Sequence, residues 1–204
     1  MSRGRLLVEG PDDKHVMWSL LAAHDVEQTF VVEDLGGVDR VIENLRVRLH
    51  ARADERLGVI VDADEKVENR WHALHDSVER IAPGVLPASP DPRGTVVALP
   101  GGRRLGIWLM PDNRLPGILE DFVALLVPAG DPCWAAARTF VDGLEGEALR
   151  FSEPRRPKAR LHAWLAVQAQ PGRPIGQAIT AKCLEATSDA ARPLIAWIER
   201  VFGD

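Results

Sequence analysis

The chain contains no tyrosine, which excludes phosphotyrosine chemistry on its own residues. Cysteine is nearly as scarce: Cys133 and Cys183 stand far apart, with no CxxC pair and no histidine at metal spacing. That excludes a disulfide framework and a zinc site as organising principles and leaves both as small core residues. Long apolar runs are missing too, since nothing approaches the roughly 18 residues that a membrane span needs. Met1-Ser-Arg-Gly-Arg-Leu-Leu is too short and too soon acidic for a signal peptide, so the expected location is the cytoplasm. Nor is there an excess of positive charge: 25 Lys and Arg face 30 Asp and Glu, for a net charge of -5. A globally basic nucleic-acid binder is excluded, and any such binding has to be local.

What remains is 204 residues, 46% of them hydrophobic, enough for one domain with an appendage. Arg5-Leu-Leu-Val-Glu-Gly10 reads as a short buried strand ending in a carboxylate and a glycine. Pro11-Asp-Asp-Lys opens a helix to about Ala23, because proline suits a first helical turn and the helix dipole favours acids there. Thr29–Leu35 is a second strand, closed by Gly36-Gly37, and a helix follows from Val38 to about Ala51. The next stretch, Leu57-Gly-Val-Ile-Val-Asp-Ala-Asp64, is apolar without alternation, as in a strand buried on both faces of a parallel sheet. A helix over Val67–Ile81, a proline- and glycine-rich loop over Pro83–Gly94 and a hairpin of Thr95–Leu99 with Leu105–Met110 complete the alternation. Helices then follow over Ile118–Leu126, Cys133–Leu144, Lys158–Ala169, Ile175–Ala186 and Ala191–Phe202, with no further strand. The expected fold is α/β: a mostly parallel central sheet in residues 1–125 and a C-terminal helical subdomain in residues 126–204.

Asp62 and Asp64 are spaced so that, in a strand, both project to one face where the chain leaves the sheet. Ligands of parallel sheets bind beyond that end of the strands. The plainer alternative is that the two aspartates start a solvated turn.

Val8-Glu9-Gly10-Pro-Asp-Asp13, then Gly36-Gly37, then Val61-Asp62-Ala-Asp64, in that order on alternating strands and helices, resemble a Toprim domain over roughly residues 5–125. This is the metal-binding fold of topoisomerases, bacterial primases, small RNA-maturation nucleases and the overcoming-lysogenization-defect nucleases. Within it, Gly106-Ile-Trp-Leu-Met-Pro-Asp112, Pro116-Gly-Ile-Leu-Glu-Asp-Phe122 and Lys158-Ala-Arg-Leu-His-Ala-Trp-Leu165 are similar to small stand-alone bacterial proteins without an assigned activity.

The resemblance implies that Glu9 is the family's glutamate and that Asp62 and Asp64 are its Asp-x-Asp metal ligands. It further implies that Asp13 and Glu120 are the added acids of the nuclease branch, with Lys158 as its C-terminal lysine. Glu9, Asp62, Asp64 and Lys158 are then expected to be catalytic, with Glu9, Asp13, Asp62, Asp64 and Glu120 holding Mg²⁺ or Mn²⁺. Such hard cations prefer oxygen ligands, two of them assist phosphodiester cleavage, and a lysine offsets charge in the transition state. Each residue also has a plainer role. Asp12 and Asp13 suit a helix cap, Asp12 especially; Glu120 and Asp121 suit dipole compensation; Lys158 suits a solvated helix start.

The only basic run, Arg150, Arg155, Arg156, Lys158 and Arg160, is flanked by prolines and expected as an exposed loop. Arg155, Arg156 and Arg160 would contact phosphates of DNA or RNA, or merely form a charged linker. His72 and His75 are expected to be solvated. No GxxxxGK[ST] loop occurs, so an ATPase would have to be a separate partner. Topoisomerase activity would need a tyrosine from a second protein. The rival from another class is a non-catalytic Toprim-fold docking module, holding a structural ion and acting with a partner. A nucleotide-sugar transferase is disfavoured, because only 61 residues precede Asp62.

Overall fold

The structure is a computed structural model that describes residues 4–52 and 54–203. Strands and helices alternate as β1 (Gly4–Val8), α1 (Pro11–Ala23), β2 (Phe30–Asp34), α2 (Val38–Ala51), β3 (Arg56–Asp62) and α3 (Val67–Glu79). The hairpin of β4 (Thr95–Leu99) and β5 (Arg103–Met110) follows. Then come α4 (Leu119–Ala124), α5 (Pro132–Asp142), α6 (Arg156–Ala166), α7 (Ile175–Thr180) and α8 (Arg192–Phe202). The sheet order is β2-β1-β3-β5-β4. β1 runs parallel to β2 and β3, β3 parallel to β5, and only β4 is antiparallel.

The unbroken apolar run of β3 is explained by cover on both faces. Leu57, Val59 and Val61 join Leu7 in a core with Val41, Leu45 and Leu49 of α2 and Trp71, Leu74 and Val78 of α3. Ile60, with Leu6 and Val8, faces the other way onto Val16, Met17 and Leu20 of α1 and onto helices α4 to α8. The sheet and the C-terminal helices thus share a core. By the pleat, Asp62 falls on the same side as Ile60, toward α1 and α4.

Two glycines seat the last helix. Gly58 and Gly106 are register partners on β3 and β5, and a Cβ at Gly58 would lie 2.9 Å from both Leu6 Cδ1 and Phe202 Cζ. A Cβ at Gly106 would overlap Val201 Cγ2 and come within 3.0 Å of the Trp197 ring. Trp197 is fully buried and its indole N–H donates to the Thr95 carbonyl at 3.1 Å. Gly106→Ala is therefore expected to destabilise by about 1–3 kcal/mol, the usual cost of overpacking. Thermal unfolding would register this as a drop of about 2–12 °C.

Some elements differ from expectation. α7 ends at Thr180 rather than Ala186, because Lys182 takes a left-handed conformation (φ 60°). The segment around Arg155 is exposed as expected, but it is helical and not a loop. Glu153–Arg155 forms a 3-10 turn running straight into α6, where Pro157 occupies the first helical turn that a missing N–H suits. Among the described residues no disulfide links Cys133 and Cys183; both are part-buried against the core. No helix of the described residues is long and apolar enough to cross a membrane.

Candidate metal centre

β1 leads through α1 to β2 on one side of it, and β3 leads through α3 to the β4–β5 hairpin on the other, so the connections leaving these neighbours diverge and open a crevice at the carboxyl ends of β1 and β3. Glu9 follows β1 and Asp62 ends β3, so both stand at that crevice. The Glu9 backbone is fixed from β2: the N–H groups of Gly36 and Gly37 both donate to its carbonyl at 2.8 Å. Their φ angles of 78° and 127° are reached without strain only by glycine, which is why this pair closes the second strand.

The carboxylates are then linked in a chain. Asp62 N–H donates to Glu9 Oε1 at 2.8 Å, and Leu119 N–H at the start of α4 donates to Asp62 Oδ1 at 2.8 Å. Gly10 N–H donates to Asp13 Oδ2 at 3.1 Å. Thus Asp13, and not Asp12, caps α1, because the third helical residue is the one that reaches back to the cap. Asp121 does the same for α4, accepting from Ile118 N–H at 2.9 Å. Its neighbour Glu120 is buried, and Lys158 Nζ of α6 reaches its Oε1 at 2.9 Å, with Asp12 Oδ2 4.0 Å from the same ammonium.

Four acids from four elements are close enough to disturb one another. Burial, then the charges of Glu9, Asp13, Glu120 and Asp64, push the Asp62 carboxyl up to about 9. Burial and the charges of Glu9 and Glu120 push Asp13 up to about 7, against its cap hydrogen bond. Burial also raises Glu9, opposed by the Asp62 N–H and the Arg70 charge. Partial burial opposes the charge of Lys158, but the Glu120 carboxylate outweighs it and holds the ammonium above the ordinary lysine range.

Glu9, Asp13, Asp62, Glu120 and Lys158 therefore come together. Asp64 does not project beside Asp62. β3 ends at Asp62, and Asp64 turns into a left-handed conformation (φ 55°) that breaks the strand alternation. Its backbone exchanges hydrogen bonds with Gly117 at 2.9 and 2.8 Å, and its exposed carboxylate pairs with Arg70 of α3. As the side chains stand, no three His, Cys, Asp or Glu residues among those described are set to hold an ion. One oxygen of each clustered carboxylate is engaged by an N–H or by Lys158, so gathering around a cation would use the second.

The basic residues separate. Arg156 donates to Glu153 at 2.8 Å and to the Val141 carbonyl at 3.1 Å, while Arg160 donates to Asp142 at 2.7 Å. Arg156 is thereby tied to α5 and to the turn before α6, and Arg160 to α5. Arg155 is exposed. His72 is exposed and His75 part-buried, as expected of a solvated helix face. Arg70 was not legible as a site residue, since its only signal is a place in the second turn after Asp62-Ala-Asp64.

The C-terminal region of the Burkholderia pseudomallei OLD protein has a similar fold, with a TM-score of 0.52 and 14% sequence identity over 100% of each chain. At that identity the likeness is one of fold. No curated protein matches. The profile of the family described as "Protein of unknown function (DUF3226)" matches residues 3–203, and the chain belongs to that family.

Proposed function

We propose that the protein hydrolyses phosphodiester bonds of nucleic acid, DNA or RNA, with Mg²⁺ or Mn²⁺ as cofactor, through a Toprim-like site. The observation that carries this reading is the meeting of Glu9, Asp13, Asp62 and Glu120 at the ends of β1 and β3, with Lys158 paired to Glu120. The fold likeness to the C-terminal region of an OLD protein and the Toprim-like order of Glu9, Asp62 and Asp64 support it.

The donor set fits a hard divalent cation in kind: all oxygen, mutually repelling, and placed on rigid strand and helix ends. Glu9, Asp13, Asp62 and Glu120 would hold it, with Asp64 joining once it leaves Arg70. When bound, such ions supply an activated water and stabilise the leaving oxygen. Lys158 is half exposed, so its ammonium can meet a substrate phosphate while still anchored to Glu120. The backbone N–H groups on Glu9 and Asp62 hold those carboxylates in place and limit the reorganisation needed on binding.

Incubation of the pure protein with Mg²⁺ or Mn²⁺ and plasmid, single-stranded DNA and RNA, beside Glu9→Gln, tests this. Cleavage by the wild type that the variant lacks is the expected result, and equal cleavage by both would point to a contaminant. For binding, Arg155→Glu should weaken affinity and reduce the log–log salt slope by about 0.9 on duplex DNA, the effect of one phosphate contact. An unchanged slope removes Arg155 from the interface.

A second reading is favoured by one observation: the engaged oxygens of the four acids already have protein partners. On that reading the domain docks a partner and an ion only stabilises it, so metal would raise the melting temperature with no cleavage of any substrate.

A further inference from the structure

The turn from β3 to α3 is held on two sides. Behind it, Asp64 and Gly117 exchange both backbone hydrogen bonds. In front, Arg70 Nε donates to the Asp62 carbonyl at 2.8 Å while the other end of the guanidinium pairs with the Asp64 carboxylate. A planar fork with donors on two sides can make both contacts at once; an ammonium cannot. The Arg70 side chain is only 15% exposed whereas that of Asp64 is 54% exposed, so the carboxylate is the mobile member of the pair. The pair also lines an open cleft of about 420 Å³ with Lys66, Asn69 and Pro154, which leaves the Asp64 carboxylate room to turn.

We infer that Arg70 is a positioning residue that sets how many carboxylates a divalent cation meets. While Arg70 holds Asp64, the ion-binding group is Glu9, Asp13, Asp62 and Glu120. Releasing Asp64 adds a fifth acid by side-chain rotation alone, because Gly117 pins the backbone. This rests on the acid cluster being a metal centre, as proposed above.

The test is calorimetric titration of the full chain with Mn²⁺, with the paramagnetic resonance signal of free Mn²⁺ as a second readout. Arg70→Gln is expected to bind Mn²⁺ roughly tenfold tighter, the scale of removing one competing charge at a partly buried site. Arg70→Lys keeps the charge but loses the two-sided grip, so its affinity should fall between those of the wild type and Arg70→Gln. In Arg70→Gln/Asp64→Asn the gain should vanish. Equal or weaker binding by Arg70→Gln overturns the inference, as does a gain that survives in the double variant. If Arg70→Gln does not fold, Asp64→Asn carries the test: because Arg70 already withholds Asp64 from the ion, the variant should bind Mn²⁺ within about twofold of the wild type, and a tenfold loss overturns the inference. Absence of any Mn²⁺ binding by the wild type instead defeats the metal-centre reading, and the inference with it.

Discussion

With Mg²⁺ or Mn²⁺ and a cleavable nucleic acid, Asp62→Asn is expected to lower the initial cleavage rate by more than about 100-fold. Loss of a group that only orients a metal ligand already costs roughly 10–100-fold, and Asp62 stands among the acids themselves, acted on by Glu9, Asp13, Glu120 and Asp64. The substitution is mild for the fold. Asparagine keeps a carbonyl oxygen for the Leu119 N–H, now at 2.8 Å from Asp62 Oδ1, and gives up only the charge. Circular dichroism should therefore be unchanged while the rate collapses. Activity within a few-fold of the wild type would remove Asp62 from the centre and point to a contaminating nuclease.

The second large effect is on stability, and it has a definite sign. An acid whose folded pKa lies above its unfolded value binds more protons folded than unfolded, so stability falls as pH rises between the two values. Asp13 is raised to about 7 and Asp62 to about 9, both from 3.8. The metal-free protein should therefore lose stability steadily from about pH 4 to pH 9, the last part of the loss belonging to Asp62. A cation that binds the ionised carboxylates reverses this. At about 100 times its dissociation constant it contributes roughly 2.7 kcal/mol, which is on the order of 5–10 °C in melting temperature for a chain of this size. The metal-induced rise should accordingly be larger at pH 8.5 than at pH 5.5, where the centre is still protonated. Scanning fluorimetry across that range with and without Mn²⁺ measures it. A rise that is equal at both pH values, or larger at the lower one, contradicts a shared carboxylate centre.

The order of strands and helices was legible because each carries its own pattern: the two-sided apolar run of β3, the proline and acids opening α1, the paired glycines after β2. Asp62 was legible from its place at the end of an apolar strand, and Glu9, Asp13, Glu120 and Lys158 only through their resemblance to a known pattern; the structure brings the five together. Asp64 was misjudged for a local reason. Alternation places residues two apart on one face only while the strand continues, and β3 stops at Asp62. The basic segment was misjudged because a proline ends one helix or opens another with equal ease, and Pro157 opens α6. Arg70 has no periodicity to reveal it. Its partners, a carbonyl and a side chain on the preceding turn, follow from how α3 leaves the sheet. The apolar stripe of α8 was visible, but not its seat on Gly58 and Gly106, since a missing side chain leaves no pattern.

Apart from Glu9 and its near neighbour Asp13, the acids that meet at the sheet's end are distant in sequence: the Asp62 N–H reaches Glu9 across 53 residues and the Leu119 N–H reaches Asp62 across 57. Contacts of such span close large loops, whose entropy is lost before the contacts reward it, whereas helices form from near neighbours. Until those loops close, the carboxylates remain apart and hydrated, and the chain meets none of their repulsion. The repulsion is felt only once the apolar faces of the sheet are already covered. An electrostatically unfavourable centre is thus compatible with an unobstructed folding route, because the strain is confined to the finished molecule.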